Sequence, residues 1–133
     1  MLAFGLLARG EYVPPPFDGG MFANGGFEDG LNGWLQYDAW TAGIDSAVNP
    51  ATGTNQIIYQ NFTLGTDNYT ISCDYLEGDA SINYFVNDAD SGVNVNSGPY
   101  TFAGAGGAVS IGVLITNVGT VQSVVDNLKL EEV

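Results

Sequence analysis

The chain has 133 residues, 45% hydrophobic and 12% aromatic, which is the length of one domain with enough apolar surface to bury a core and too much for a disordered polymer. Fifteen acidic residues against two basic ones give a formal charge of −13, so electrostatics oppose phosphate backbones and anionic membranes: neither nucleic acid nor membrane is an expected partner. No histidine and one cysteine exclude an internal disulfide, a His-containing zinc site, and the Ser/His/Asp and Cys/His nucleophilic pairs.

Residues 1–20 read as an extended N-terminal arm. Its apolar head contains Leu2, Phe4, Leu6 and Leu7, but no basic residue precedes that run and Arg9-Gly-Glu-Tyr12 is a poor small-residue cleavage site. The expectation is therefore an arm rather than a signal peptide. Tyr12 and Val13 lead into Pro14, Pro15, Pro16 and Phe17, where the fixed proline φ values favour a semi-rigid extended connection. No stretch approaches the length of apolar residues that spans a bilayer as a helix.

Residues 21–133 read as one all-β domain. Short alternating segments are separated by Gly, Asn, Asp and Pro clusters, and no amphipathic helical window stands out. Strands are predicted over 21–28, 34–40, 56–64, 69–77, 80–87, 93–102, 108–117 and 121–132. The pattern is plainest in Val109, Ile111, Val113 and Ile115, which alternate with Ser110, Gly112 and Leu114. Segments at this spacing imply two packed sheets, a sandwich or jelly roll. Cys73 shares parity with Ile71 and Tyr75 and reads as a buried structural thiol. The run Asn87-Asp88-Ala-Asp90-Ser-Gly92 lacks the ligands of an EF-hand loop and reads as a hairpin turn.

One carboxylate stands out. In Val124-Val-Asp-Asn-Leu-Lys-Leu130, a regular strand places Asp126 on the face of Val124, Leu128 and Leu130. A carboxylate among leucines needs a partner, and Lys129 points the other way, which leaves a bound cation or a set of backbone donors. Near the other end, Asn24-Gly-Gly-Phe-Glu-Asp-Gly-Leu-Asn-Gly-Trp34 carries Glu28.

Taken with Gln60–Ser72 and the closing Asp126-Asn-Leu-Lys-Leu130, the Asn24–Trp34 segment resembles the family 4/9/22-type carbohydrate-binding modules of the galactose-binding-like jelly-roll group, over about residues 22–132. The resemblance implies a non-catalytic jelly-roll β-sandwich with a structural calcium held by the early glutamate and the late aspartate, here Glu28 and Asp126. Calcium accepts six to eight oxygens, carbonyls included, so Asn24 and the glycine-rich strand end suit it as further ligands. Against this, Asn24-Gly25 and Asn32-Gly33 are tight-turn dipeptides, and Asp126 can accept backbone N–H groups instead.

In such modules, sugars stack on exposed aromatic faces. Trp34 resembles the packed tryptophan of the family and is assigned to the core, while Tyr59, Tyr84 and Trp40 are the candidates for polysaccharide contact. Arm-bearing jelly rolls also resemble accessory virion proteins of tailed bacteriophages, such as head decoration (cement) proteins and fibre or tail subunits. That resemblance implies a structural role in the virion, with Leu2, Phe4, Leu6, Leu7, Tyr12, Pro14, Pro15, Pro16 and Phe17 packing on neighbouring subunits or copies of the same chain. The alternative is an extracellular carbohydrate-binding module. An enzyme is a third class, since paired carboxylates hydrolyse glycosides without histidine, but Glu28 and Asp126 are better used as ligands.

Overall fold

The computed structural model describes residues 17–37, 40–51 and 56–133. Among these, ten strands form two antiparallel five-stranded sheets: β1 (Leu35–Tyr37), β2 (Thr41–Ala42), β3 (Ala47–Asn49), β4 (Ile57–Leu64), β5 (Asn68–Glu77), β6 (Ser81–Val86), β7 (Ala89–Asn94), β8 (Tyr100–Ala103), β9 (Gly107–Asn117) and β10 (Ser123–Glu132). The first sheet has the order β1-β4-β9-β6-β7 and the second β2-β3-β10-β5-β8. From β3 onward successive strands cross between sheets, except at the β6–β7 hairpin.

Alternation explains the layering. Val109, Ile111, Val113 and Ile115 of β9, Ile82, Tyr84 and Val86 of β6, and Tyr69 and Ile71 of β5 are all buried in one core shared by both sheets. The β6–β7 turn follows from its residues: Asn87 (φ 52°) and Asp88 (φ 64°) both take the left-handed conformation that a two-residue hairpin requires. Trp34 lies in the core as expected, 4.9 Å from the Phe22 ring and 5.2 Å from that of Phe27.

Three expectations change. Residues 21–28 form successive turns rather than a strand, because Asn24 and Phe27 both sit at φ 55°. The predicted 93–102 strand is interrupted by a 3-10 turn, Val95–Ser97. The Asn94 side chain accepts from Asn96 N at its start, and Gly98 at φ 93° ends it. The short strands β2 and β3, like β7, were not predicted as separate elements.

A further change concerns β10. Its pairing with β5 shifts between Asp126 and Lys129, and Asn127 adopts φ 52°. This bulge reverses the facing of the strand: Ser123 and Val125 point inward before it, Leu128 and Leu130 after it. Asp126 therefore does not share a face with the leucines. It lies on the outer side of the sheet with Val124, and the regular-strand expectation fails for want of one residue of register.

Candidate functional site

The two sequence-distant segments do lie side by side. Leu128 N donates to Gly25 O (2.9 Å), Leu130 N to Gly19 O (3.0 Å) and Met21 N to Leu130 O (2.7 Å), so residues 19–25 cover the flank of β10 that β3 leaves unpaired. Gly25 is required by this approach, since a Cβ there would collide with the Leu128 carbonyl oxygen. Glu28 folds back over Gly26, and its Oε2 accepts from Phe17 N at 3.2 Å.

Asp126 is half-buried. Burial holds its carboxyl above the ordinary carboxylate value, and the charges of Glu28, Asp74 and Asp45 push in the same direction against the bond from Asn127 N (2.7 Å). Asp74 is its direct cross-strand partner and accepts from Asn127 Nδ2 at 2.9 Å. The result is an acidic neighbourhood on the outer face, with oxygen donors of the kind a hard cation takes. Among the described residues no three acidic or cysteine side chains converge as a ready metal cluster, so backbone carbonyls would have to complete any coordination shell.

Asn24 serves the loop. Its Nδ2 donates to Gly30 O (3.0 Å) and Asn32 O (2.9 Å), and its Oδ1 accepts from Asp29 N (3.1 Å). Its carbonyl accepts from Trp34 Nε1 (2.9 Å) and Phe27 N (3.1 Å). The tight-turn reading of Asn24-Gly25 thus describes the residue better than the ligand reading, because its side-chain oxygen is already engaged.

Two of the three candidate sugar-contacting aromatics are in the core. Tyr84 is fully buried between Ile82 and Val86, and its hydroxyl donates to Gly98 O at 2.8 Å. Trp40 is only 2% exposed. Neither ring offers a face to a ligand. For Tyr84 the error lay in weighing the flanking Asn83 and Asn87 above its parity with Ile82 and Val86.

Tyr59, half-buried, does lie on the outer side of the first sheet. It pairs with Leu35 (47% exposed) on one side and Gly112 on the other, and Phe85 follows beyond Gly112. In the adjacent row Tyr37, 65% exposed, pairs with Ile57. Sequence reasoning missed Tyr37 and Phe85, since only strand register brings them beside Tyr59.

Of the proposed assembly residues, Phe17 is described: half-buried and fixed through its N–H to Glu28. Leu2, Phe4, Leu6, Leu7, Tyr12, Pro14, Pro15 and Pro16 lie outside the described residues. Cys73 packs partly against the core, and burial, with a smaller push from Asp74, raises its thiol to about 12. No protein-family model and no curated protein sequence matches this chain.

Proposed function

We propose that the protein is a non-catalytic structural accessory subunit of a tailed-bacteriophage virion, a head decoration or fibre and tail component, anchored to neighbouring subunits by residues 1–17. The observation that carries this reading is where the described chain begins: Phe17 N donates to Glu28 Oε2 on the sandwich surface, and the sequence before it is apolar and proline-rich. The strand order β3-β10-β5-β8 facing β4-β9-β6-β7 supports a jelly roll, and with it the kinship to galactose-binding-like modules. The absence of histidine and the high pKa of the Cys73 thiol support a role without nucleophilic chemistry.

Within that role, Glu28 and Asp126 are proposed to share a structural calcium ion, which would relieve the repulsion that raises the Asp126 carboxyl. The test of the main reading is incorporation: the full chain enters particles assembled in its presence, and the chain lacking residues 1–17 does not. Equal incorporation of both would refute the anchoring role.

A second reading has its own observation. Leu35, Tyr37, Tyr59 and Phe85 share the outer side of the first sheet, an aromatic surface of the kind polysaccharides stack on. It requires saturable glycan-array binding that Tyr59→Ala and Tyr37→Ala abolish.

A further inference from the structure

Two Asn-Gly pairs occur in the sequence, Asn24-Gly25 and Asn32-Gly33, and both fall in the loop that leads to Trp34. Asparagine is a thermolabile residue, most so before glycine, where no Cβ hinders the following backbone nitrogen from attacking the asparagine side-chain carbonyl. The fold treats the two pairs differently.

Asn24-Gly25 is locked. The Asn24 Nδ2 donates to Gly30 O and Asn32 O, and its Oδ1 accepts from Asp29 N. Gly25 is buried against β10, where its carbonyl accepts from Leu128 N and its α-carbon sits close under the Leu128 carbonyl. Bringing the Gly25 nitrogen onto the Asn24 Cγ would break these bonds and lift the loop off the strand. Asn32-Gly33 is open. Both residues are exposed, at the centre of a turn closed by Trp34 N on Leu31 O (2.9 Å), with Gly33 at φ 87° in its third position. Among the described residues no acceptor is bonded to the Gly33 N–H. A Cβ on Gly33 would meet nothing nearer than Ala23 at 3.8 Å, so the space around it is clear. The Asn32 side chain is held by its Nδ2 bond to Asp29 Oδ2 (2.8 Å), between two exposed groups.

We propose that Asn32 is a site of spontaneous deamidation in the folded protein, restrained by its bond to Asp29, and that Asn24 is protected from the same reaction. The Gly33 nitrogen gives its proton to hydroxide and bonds to the Asn32 Cγ; the Cγ–Nδ2 bond breaks, ammonia leaves, and a cyclic imide joins the two residues. Water then adds to one of the imide carbonyls. Opening at Cγ gives aspartate, whereas opening at the backbone carbonyl gives isoaspartate, with the chain running through the side-chain carbons. Nothing is oxidised or reduced. Either product places a carboxylate where the Asn32 amide donated to Asp29, exchanging a hydrogen bond for repulsion between like charges. Isoaspartate also lengthens the backbone at the residue whose carbonyl accepts from Asn24 Nδ2, in the turn that leads through Trp34 into β1. The modification therefore loosens the loop and the edge strand that carries Leu35 and Tyr37.

Prolonged incubation of the full chain at mildly alkaline pH, followed by peptide mapping with tandem mass spectrometry, tests the proposal. Exchange of NH2 for OH raises the mass, so it is distinguished from isomerisation at Asp29-Gly30, which leaves the mass unchanged. The expected result is a mass gain with isoaspartate at residue 32, accumulating about tenfold or more faster than at residue 24, because the bonds of Asn24 and the seat of Gly25 must open first. In urea the two pairs should react at similar rates. Asn32→Gln keeps an amide but disfavours ring closure, and should abolish the gain at residue 32; Asp29→Ala frees the Asn32 amide and should quicken it. The aged parent chain should melt at a lower temperature than the fresh one, and aged Asn32→Gln should not. A folded chain in which residue 24 reacts as fast as residue 32, or in which neither reacts while both do in urea, overturns the inference. A rate at residue 32 that Asp29→Ala leaves unchanged overturns the restraint assigned to Asp29.

Discussion

Asp126 stands directly across the β10–β5 pair from Asp74, both on the outer side of the sheet, with Asn127 bonded to both carboxylates. Two like charges at neighbouring positions are a destabilising pair unless protonation or a counter-charge relieves them. The bulge at Asn127 creates the arrangement by sending Leu128 and Leu130 inward while Asp126 stays outside.

Asp126→Asn therefore stabilises the metal-free protein at neutral pH, by about 0.2–1 kcal/mol, the size of a like-charge cross-strand pair, and by less in high salt. The folded-state carboxyl titrates above its unfolded value of about 3.9, so its favourable contribution is complete below that value and is lost as pH rises through the raised one. The advantage of the variant should grow over that window and level off above it. Urea denaturation in acidic and neutral buffer measures this, and a pH-independent difference would contradict the electrostatic cause. Millimolar calcium should raise the melting temperature of the parent chain, reversibly with EDTA, and leave that of Asp126→Asn unchanged. If both proteins are indifferent to calcium and EDTA, the shared ion is ruled out.

Asn24 closes the Asn24–Trp34 loop through its side chain while holding a left-handed backbone. Asn24→Ala loses the bonds and strains the backbone, a combined cost of about 2–4 kcal/mol; Asn24→Gly loses the bonds alone and costs about 1–3 kcal/mol. Denaturant titration of the three proteins separates the two contributions. Equal stability of the Ala and Gly variants would show that the backbone conformation carries no cost.

How much of this was legible in the sequence depends on the range of the interaction concerned. The β6–β7 turn is local, written in Asn87 and Asp88, and the inward face of β9 follows from its alternation. The placement of Trp34 in the core also agreed with expectation. By contrast, the facing of Asp126 depends on a one-residue bulge, and nothing in Val124–Leu130 marks Asn127 as its site except that asparagine tolerates a positive φ. Tyr37, Tyr59 and Phe85 sit on three strands far apart in sequence, so their common surface exists only once register is fixed. Strands of two or three residues, such as β2 and β3, are too short for a period to show.

The burial of Tyr84 separates it from Tyr59 and Tyr37 in a measurable way. Tyr84→Ala opens a cavity beneath Tyr100, whose ring stacks on it at 6.2 Å, and costs about 3–5 kcal/mol. Tyr84→Phe keeps the ring and loses the bond to Gly98 O and the longer one to Val95 O, about 1 kcal/mol. Tyr37→Ala, at an exposed edge position, stays within about 0.5 kcal/mol. A Tyr84→Ala protein as stable as the parent would mean that the ring is not packed in the core.

Cys73 offers a chemical check on the same core. With its thiol raised to about 12, only roughly one molecule in ten thousand carries the reactive thiolate near pH 8. The native protein should therefore resist iodoacetamide for hours in a buffer where the urea-unfolded chain is labelled within minutes. Burial is the larger cause of the shift and Asp74 the smaller, so Asp74→Asn should quicken native labelling only slightly, whereas a cavity variant beside the thiol that admits water should quicken it more. The thiol is neutral in both folded and unfolded chains below about pH 7, so it contributes no pH dependence to stability there, and the acid-side changes expected for Asp126 remain free of it. Rapid labelling of the folded chain would place Cys73 in solvent and contradict its packing against the core.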